Sequence, residues 1–238
     1  MIIDNQEIAK GIYKMRLKYE HPKPEPGQFV NIYLNDESRL LPRPISVCDW
    51  NEGVLTIVYA VVGAGTKILS TYKPRIDVRV SVPLGKGFSP EGGKKILLVG
   101  GGVGVPPLLY LAKSLKDVST RAVLGFRSEP FLADEFPCTV ETATDDGSYG
   151  FHGNVIELLK KTGVEPSTKI FSCGPKPMLK AITEFAIEHG LEVEISLEER
   201  MGCGYGACVG CTCKTTNGNR KVCEDGPVFN GKEVLWNE

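Results

Sequence analysis

The chain has 238 residues, a formal net charge of -1, and 42% hydrophobic and 24% charged residues. These proportions are ordinary for a globular protein, and without a block of Lys or Arg a nucleic-acid partner is not expected. No apolar run in the sequence approaches the roughly 20 residues needed to cross a bilayer, so we expect a soluble protein with no membrane partner.

The first third of the chain predicts short β-strands. Apolar and polar residues alternate over 13–18, 30–34 and 55–59, with turn-forming clusters between them. In the second of these strands, Asn31 and Tyr33 occupy the polar positions. Many short strands at this spacing favour a small antiparallel barrel.

Two segments of this predicted barrel have unusual composition. Leu41-Pro42-Arg43-Pro44-Ile45-Ser46 has, on composition alone, the character of a proline-stiffened edge strand with a solvated arginine. Val62-Gly63-Ala64-Gly65-Thr66 is a glycine-rich turn that opens a helical stretch over 67–72. Free N-H groups at such a helix start suit a phosphate group.

The pattern changes after a turn-rich exit at 83–88 and a linker, Glu91-Gly92-Gly93. Residues 95–99 form an apolar run without alternation, as in a central parallel strand. The run leads into Gly100-Gly101-Gly102-Val103-Gly104 and a helix over 108–115, the context of a dinucleotide-phosphate site. Further strands over 122–126, 139–143 and 169–172 and helices over 154–161 and 178–189 predict a doubly wound sheet of five parallel strands.

Four cysteines near the C-terminus have the spacing C-x4-C-x2-C followed, after eleven residues, by a fourth. They are Cys203, Cys208, Cys211 and Cys223. This is the plant-type arrangement for ligating a [2Fe-2S] cluster. Glycines at 202, 204, 206 and 210 suit a backbone wrapped tightly round sulfur.

Other interpretations of the cysteines are less favoured. A structural zinc site usually has a second paired hook, which is missing beside Cys208 and Cys211. A disulfide framework suits a secreted chain, but the N-terminal residues do not form a secretion signal. The remaining cysteines are scattered, as in a reducing cytosol, so we expect a cytoplasmic protein. Cys213 stays open as a substitute ligand.

Two of these motifs resemble those of the ferredoxin-NADP reductase superfamily. Arg43-Pro44-Ile45-Ser46 resembles its R-P-x-S flavin motif, and 63–66 resembles its second flavin-phosphate loop. The resemblance implies that Arg43 neutralises the FAD pyrophosphate and that Ser46 lies near the reactive edge of the isoalloxazine. The implied FAD contacts are Arg43, Pro44, Ile45, Ser46, Tyr59, Gly63, Gly65 and Thr66.

The same superfamily has a C-G-P turn beside the nicotinamide. The resemblance implies a catalytic position for Cys173, with a positional role because flavin and nicotinamide exchange hydride without a protein nucleophile. The implied nucleotide contacts are Gly101, Gly102, Gly104, Asp145, Gly174 and Pro175. One arginine, Arg127, is not a 2'-phosphate pocket, so NAD is expected rather than NADP.

Across its whole length the chain resembles the electron-transfer subunits of class B dihydroorotate dehydrogenase. We expect an FAD-binding barrel over 1–92, an NAD-binding α/β domain over 93–196 and a [2Fe-2S] segment over 197–238. The resemblance implies a heterotetramer with a catalytic FMN-containing dehydrogenase subunit, and electron flow through cluster and FAD to NAD+ in pyrimidine biosynthesis. Alternatives are a diaphorase subunit of a sulfide dehydrogenase, hydrogenase or NADPH:ferredoxin transhydrogenase, and an iron-sulfur/flavin redox sensor.

Overall fold

The computed structural model of the protein describes residues 1–36, 38–92, 95–116 and 118–236. The first part of the chain forms six strands and one helix. They are β1 (Ile2–Ala9), β2 (Ile12–Lys18), β3 (Phe29–Tyr33), β4 (Arg43–Asn51), β5 (Val54–Ala60), α1 (Ala64–Thr71) and β6 (Arg79–Val80). The strands make one antiparallel sheet in the order β1-β2-β5-β4-β3-β6.

This sheet curls until its two ends approach each other. Ile2 accepts a backbone hydrogen bond from Arg75 and donates one to Ile76, both at 2.8 Å, just before β6. Apolar side chains fill the interior, among them Met15, Leu17, Val30, Ile32, Leu55 and Ile57. The predicted antiparallel barrel is therefore confirmed.

The second part of the chain builds the other large sheet. Its strands are β7 (Lys95–Gly101), β8 (Ser119–Phe126), β9 (Thr139–Thr144), β10 (Phe151–His152), β11 (Thr168–Cys173) and β12 (Glu192–Ser196). Its helices are α2 (Val105–Ser114), α3 (Val155–Thr162) and α4 (Lys176–Glu188). The strand order is β10-β9-β8-β7-β11-β12, and all these pairs are parallel.

Helices cover both faces of this sheet. Leu108, Leu109 and Leu111 of α2 pack in one apolar core, while Leu159 of α3 and Leu179 of α4 pack in another. Because a parallel sheet must bury both faces, this division follows from the continuous apolar runs of its strands. The predicted doubly wound α/β domain is confirmed, with six parallel strands where five were expected. Strands β10 and β12 lie outside the four strand segments that the sequence located.

All three helices that follow predicted ligand loops begin earlier than the sequence indicated. Helix α1 begins at Ala64 and not at 67, α2 at Val105 and not at 108, and α4 at Lys176 and not at 178. The second and fourth helices have proline in their first turn. Proline is tolerated there because the N-H it lacks has no intrahelical partner in that turn.

The C-terminal segment packs against both sheets. A hairpin of β13 (Thr212–Thr215) and β14 (Gly218–Lys221) is followed by β15 (Val228–Asn230), which joins the parallel sheet as an antiparallel edge strand beside β12. Lys86, on the exit from the barrel, donates its backbone N-H to Gly226 O at 2.5 Å. The expected boundary residues Gly93 and 237–238 lie outside the described residues. In the described parts of the chain, no helix has the length and apolar character required to span a bilayer.

Candidate functional site

The two predicted flavin segments meet in space. A Cβ placed on Gly65 would lie 2.0 Å from Nε and 2.2 Å from Nη2 of Arg43, so the guanidinium packs directly on the glycine backbone. Arg43 Nη1 also donates to Leu41 O at 2.5 Å, which holds the side chain at this position. The sequence pattern therefore brings a fixed cation to the N-terminus of α1.

The start of α1 offers further donors. Gly63 is the N-cap, and within the described residues the N-H groups of Ala64, Gly65 and Thr66 have no hydrogen-bond partner, as expected for a first helical turn. Thr66 Oγ1 accepts from the N-H of Val62 at 3.0 Å and of Gly63 at 3.2 Å. The threonine hydroxyl thus orders the loop itself, and the cation and free N-H groups fit a diphosphate.

The remaining flavin-motif residues lie on β4. Pro44 and Ser46 stand opposite Asn31 and Phe29 of β3. Pairing of β4 with β5 begins only at Val47, so among the described strands this half of β4 has one neighbour and an open side. Proline is accommodated at such an edge, which also leaves the side chains of Ile45 and Ser46 partly exposed.

Tyr59 does not share this edge. Its side chain is 2% exposed, its hydroxyl donates to Asn5 Oδ1 at 2.9 Å, and its ring stacks on Tyr13. This placement differs from the expected flavin contact, because both ring and hydroxyl are engaged in the barrel interior. We leave Tyr59 out of the proposed flavin site.

The glycine loop after β7 packs against the turn after β11. A Cβ on Gly104 would lie 2.2 Å from Cys173 O and 2.6 Å from Gly174 N. A Cβ on Gly101 would lie 3.0 Å from Pro175 Cδ. The two loops meet because β7 and β11 are neighbours, with Gly100 opposite Cys173. Backbone approach this close at the carboxyl ends of parallel strands fits a dinucleotide site.

Cys173 is a protonated thiol at neutral pH. Burial raises the pKa of Cys173 to about 12, with Glu198 acting in the same direction and a hydrogen bond to Ser196 opposing it. A thiol of this kind is a poor nucleophile. Its chemistry agrees with the positional role expected for it.

Asp145 lies at the same edge of the sheet, in the exposed loop after β9. Its backbone N-H donates to Phe126 O at 3.0 Å, which ties the loop to the end of β8. The next residue, Asp146, accepts from Ser148 N-H at 2.9 Å, and hydrogen bonds from the Ser148 hydroxyl and N-H lower the pKa of Asp146. Asp145 is therefore an exposed residue beside the carboxyl end of β8.

The cysteine loop directs backbone N-H groups at sulfur. Gly206 N donates to Cys223 Sγ at 3.2 Å, Cys208 N to Cys203 Sγ at 3.4 Å, and Cys223 N to Cys211 Sγ at 3.5 Å. Gly206 has φ = +85°, where a Cβ would lie 2.5 Å from the carboxylate of Glu224. Such donors stabilise thiolate sulfur, and this loop therefore fits an iron-sulfur cluster.

The four thiols fall into two pairs. Burial acts to raise the pKa of Cys203, but N-H donors of Tyr205 and Cys208 and the Cys208 thiol outweigh it and lower the pKa to about 6. Burial and the Cys211 thiol raise the pKa of Cys223 to about 12. Among the described residues, no three Cys, His, Asp or Glu side chains converge on one metal position. Pairing of 203 with 208 and of 211 with 223 matches a two-iron centre better than a single zinc ion.

Cys213 lies on β13 opposite Arg220, and it is buried in the same apolar cluster as Cys211 and Cys223. In the part of the chain that the structure describes, its thiol makes no hydrogen bond to another cysteine.

One residue of the site has no sequence motif. Asn31, on β3, is fully buried, and its Nδ2 donates to the backbone oxygen of Cys203 at 3.0 Å. The alternation gives Asn31 a polar position in the strand, and the structure shows that this position is buried. The one signal in the sequence is an amide side chain between the apolar residues Val30 and Ile32. It indicates burial only when the loop that accepts its hydrogen bond is known.

Two surface cavities do not coincide with these sites. They have volumes of about 460 and 570 Å³ and are lined by residues at the amino ends of the parallel strands, including Lys95 and Arg121 in one and Lys169 and Glu192 in the other. Ligands of open parallel sheets bind at the carboxyl ends. We therefore assign the glycine loops and the cysteine loop as the candidate functional site.

Comparisons with known proteins agree with this assignment. Residues 198–235 match the family model of the iron-sulfur cluster binding domain of dihydroorotate dehydrogenase B. The chain is 42% identical over 241 residues to the dihydroorotate dehydrogenase B (NAD(+)) electron transfer subunit of Caldanaerobacter subterraneus subsp. tengcongensis, covering 99% of this chain and 97% of the relative. It is 44% identical over 248 residues to the same subunit of Bacillus velezensis, covering 97% and 95%.

A solved structure is similar over nearly the whole chain. It is that of an NADH-dependent reduced ferredoxin-NADP oxidoreductase, studied for flavin-based electron bifurcation, with a TM-score of 0.90, 32% identity, and coverage of 99% of this chain and 89% of the other. The fold is thus that of the ferredoxin-NADP reductases with a C-terminal iron-sulfur domain. By identity over almost its full length, this chain belongs to the family of dihydroorotate dehydrogenase B electron transfer subunits.

Proposed function

We propose that this chain passes electrons from a catalytic dihydroorotate dehydrogenase subunit to NAD+ in pyrimidine biosynthesis. The observation that carries the proposal is the cysteine loop with N-H groups directed at its sulfurs, on a chain that also bears two glycine-rich nucleotide loops. When bound, the [2Fe-2S] cluster supplies single electrons and FAD converts them to the hydride that NAD+ accepts.

The FAD site uses the edge of the barrel. Arg43 and the free N-H groups at Gly65 and Thr66 bind the diphosphate, while Gly63 caps the helix. Pro44, Ile45 and Ser46 line the open edge of β4, where they would hold the flavin ring.

The NAD site uses the carboxyl ends of the parallel strands. Its residues are Gly101, Gly102, Gly104, Asp145, Cys173, Gly174 and Pro175. Close packing of the Gly104 and Cys173 loops supports this assignment, since the backbone there can approach a dinucleotide closely. Cys173 excludes water and shapes the site without forming a bond to substrate.

The cluster ligands are Cys203, Cys208, Cys211 and Cys223. They belong to a segment over 197–238, which follows an FAD barrel over 1–92 and an NAD domain over 93–196. The match over 198–235 supports the last boundary. Tyr205 and Val209 of the cysteine loop are 60% and 76% exposed. Exposed apolar side chains beside a redox centre support docking of the FMN-containing catalytic subunit at this loop, in a heterotetramer.

We also propose a cytoplasmic location. All eight cysteines are free thiols, and the cluster needs four of them as reduced thiolates.

Metal analysis tests the proposal directly. The anaerobically purified chain should contain FAD with iron and acid-labile sulfide in equal amounts, about two of each. It should oxidise NADH with ferricyanide, and dihydroorotate-dependent NAD+ reduction should appear only with an FMN-containing catalytic subunit. Cys211→Ser should abolish the cluster spectrum, and Cys213→Ser should leave it intact. Zinc without sulfide, or dihydroorotate turnover by the chain alone, would contradict the proposal.

A second candidate is supported by the solved structure. The NADH-dependent ferredoxin-NADP oxidoreductase has a similar chain at 32% identity, so a diaphorase subunit of a transhydrogenase uses the same fold. The protein that co-purifies with the native chain distinguishes the two candidate functions. Only the first function has an FMN-containing dihydroorotate dehydrogenase subunit as the partner.

A further inference from the structure

Asn31 is the one polar side chain that ties the barrel to a cluster cysteine in the described structure. Its Nδ2 donates to Cys203 O at 3.0 Å, across 172 residues of sequence. The opposite orientation of the amide is unfavourable, because a carbonyl oxygen can accept but not donate. The amide therefore has a defined orientation, with Nδ2 toward the cysteine loop.

The contact is close as well as specific. A Cβ on Gly204, the residue after Cys203, would lie 2.5 Å from Asn31 Nδ2 and 2.8 Å from Oδ1. Gly204 has φ = +79°, a conformation that favours glycine. The cysteine loop is thus shaped to let the asparagine amide reach its backbone.

Burial of this amide is also unfavourable in free energy. Asn31 is 0% exposed, and its Oδ1 has no hydrogen-bond partner among the described residues. An apolar residue between Val30 and Ile32 would avoid an unpaired buried oxygen, and such a group is ordinarily unfavourable. A function for the amide at this position accounts for its presence.

The position of Asn31 in the barrel gives that function. In the β3–β4 pair, Asn31 stands directly opposite Pro44, between the pairs formed by Ile32 with Arg43 and Phe29 with Ser46. Directly opposite residues of antiparallel strands project to the same face. The Cys203 loop therefore lies on β3 at the face toward which Pro44 and Ser46 of the neighbouring strand β4 also project.

We propose that Asn31 is a positioning residue that fixes the Cys203 side of the cluster loop against the flavin-motif strand. The proposal rests on the proposed function, since it assigns the route between the two redox sites of this chain. Asn31 touches no reacting atom. It acts through the Cys203 backbone. It sets the distance between the Cys203 end of the loop and the flavin-motif strand, and it sets the polarity at that end of the loop.

The test uses the full chain with FAD and cluster. Asn31→Asp keeps the shape but replaces the amide donor by a carboxyl oxygen. Asn31→Leu removes the donor together with the polar group. Loss of a buried hydrogen bond of this kind should slow reduction of the cluster by NADH roughly tenfold in stopped flow. The midpoint potential of the cluster, measured by EPR titration, should differ from wild type in both variants, because the polarity at the Cys203 end of the loop is changed.

Ser81→Ala is the matched control. Ser81 Oγ accepts from the backbone N-H of Asn31 at 2.9 Å, so the variant disturbs the same residue of β3 without touching Cys203. It should keep the wild-type rate and potential. An equal loss in Ser81→Ala would overturn the proposal, because the effect would then belong to the strand in general.

The remaining outcomes are also distinct. Wild-type rates and potentials in both loaded Asn31 variants would overturn the positioning role. If those variants do not fold, Gly204→Ala decides, since its Cβ displaces the loop while Asn31 is kept: slowed cluster reduction supports the proposal and an unchanged rate contradicts it. A wild-type chain without FAD, iron and sulfide would instead refute the proposed function.

Discussion

The two glycine-rich loops of this chain start helices in the same way but differ in what packs against their glycines. In the loop before α1, Gly65 is packed by the long side chain of Arg43, and the Thr66 hydroxyl ties the turn together. In the loop before α2, Gly104 is packed by the backbone of Cys173 and Gly174, and among the described residues no cation packs on it. One site combines charge with free N-H groups, whereas the other depends on backbone shape.

This difference has a functional meaning. A charge-assisted contact strengthens binding of a diphosphate, so the first loop suits a cofactor that stays bound. A site of backbone donors alone binds less tightly and suits a nucleotide that leaves after each turnover. The comparison also predicts which substitutions the two loops tolerate, because a side chain can move aside and a packed backbone cannot.

The largest effect is expected for Gly104→Ala. Its Cβ would lie 2.2 Å from Cys173 O and 2.4 Å from Cys173 C, with rigid backbone on both sides. We expect a loss of about 3 kcal/mol in the free energy of unfolding. NADH oxidation with ferricyanide should fall by roughly 100-fold if the same energy is lost from the loop proposed to bind NAD.

Gly102→Ala is the control for this change. Gly102 has φ = +52° but no atom within 4 Å of an added Cβ, so only backbone strain of about 1 kcal/mol is expected. Denaturant unfolding and NADH kinetics of the two variants measure the difference. Equal behaviour would show that close packing on Cys173 is unimportant.

The next effect concerns the charge. Arg43→Ala removes a charge-assisted contact worth about 1.5–3 kcal/mol, so FAD affinity should fall roughly tenfold or more. Flavin released on dilution, followed by fluorescence, measures this loss. Arg43→Lys should recover part of the affinity. FAD retention equal to wild type in Arg43→Ala would make the arginine a surface charge only.

A smaller effect is expected for Gly65→Ala. The new Cβ would collide with Arg43 Nε at 2.0 Å, but the far end of a flexible side chain can shift. The fold should survive, and FAD affinity should fall by roughly three- to tenfold because the cation is displaced. Gly63→Ala, which meets no atom within 4 Å, should change affinity by less than about twofold. Loss of folding in Gly65→Ala would show that this loop tolerates an added side chain no better than the loop at Gly104.

Much of the fold could be predicted from periodicity and motif order. The barrel and the parallel sheet follow from strands of period two, apolar runs and glycine loops, all of which are local signals. The sequence predicts starts at 108 and 178 for helices that begin at Val105 and Lys176. Proline in the first turn interrupts the apolar pattern but is compatible with the helix.

Features that depend on long-range contacts could not be predicted. The burial of Asn31 depends on a loop 172 residues away, and the inward position of Tyr59 depends on Asn5. Strand β15 joins the parallel sheet although it belongs to the cysteine segment, because the Gly226-Pro227 turn packs on the barrel exit. Each of these is decided by tertiary packing, for which neither composition nor spacing carries a signal.

The smallest effect should come from Cys173→Ser, which tests whether shape alone describes the second loop. Because the thiol forms no bond to substrate and a net hydrogen bond contributes only about 0.5–1 kcal/mol, the hydride-transfer rate should change by less than about threefold. The thiol pKa is raised from 9.0 to about 12, so the neutral thiol stabilises the folded state fully below about pH 9. That stabilisation is lost as the pH rises toward 12, and the stability difference between wild type and Cys173→Ser should be constant from pH 6 to 8 and narrow above pH 9. Urea unfolding at each pH and stopped-flow hydride transfer measure the two quantities. A rate loss of roughly 100-fold or more would assign Cys173 a chemical role and would end the contrast between a charged loop and a loop of backbone shape.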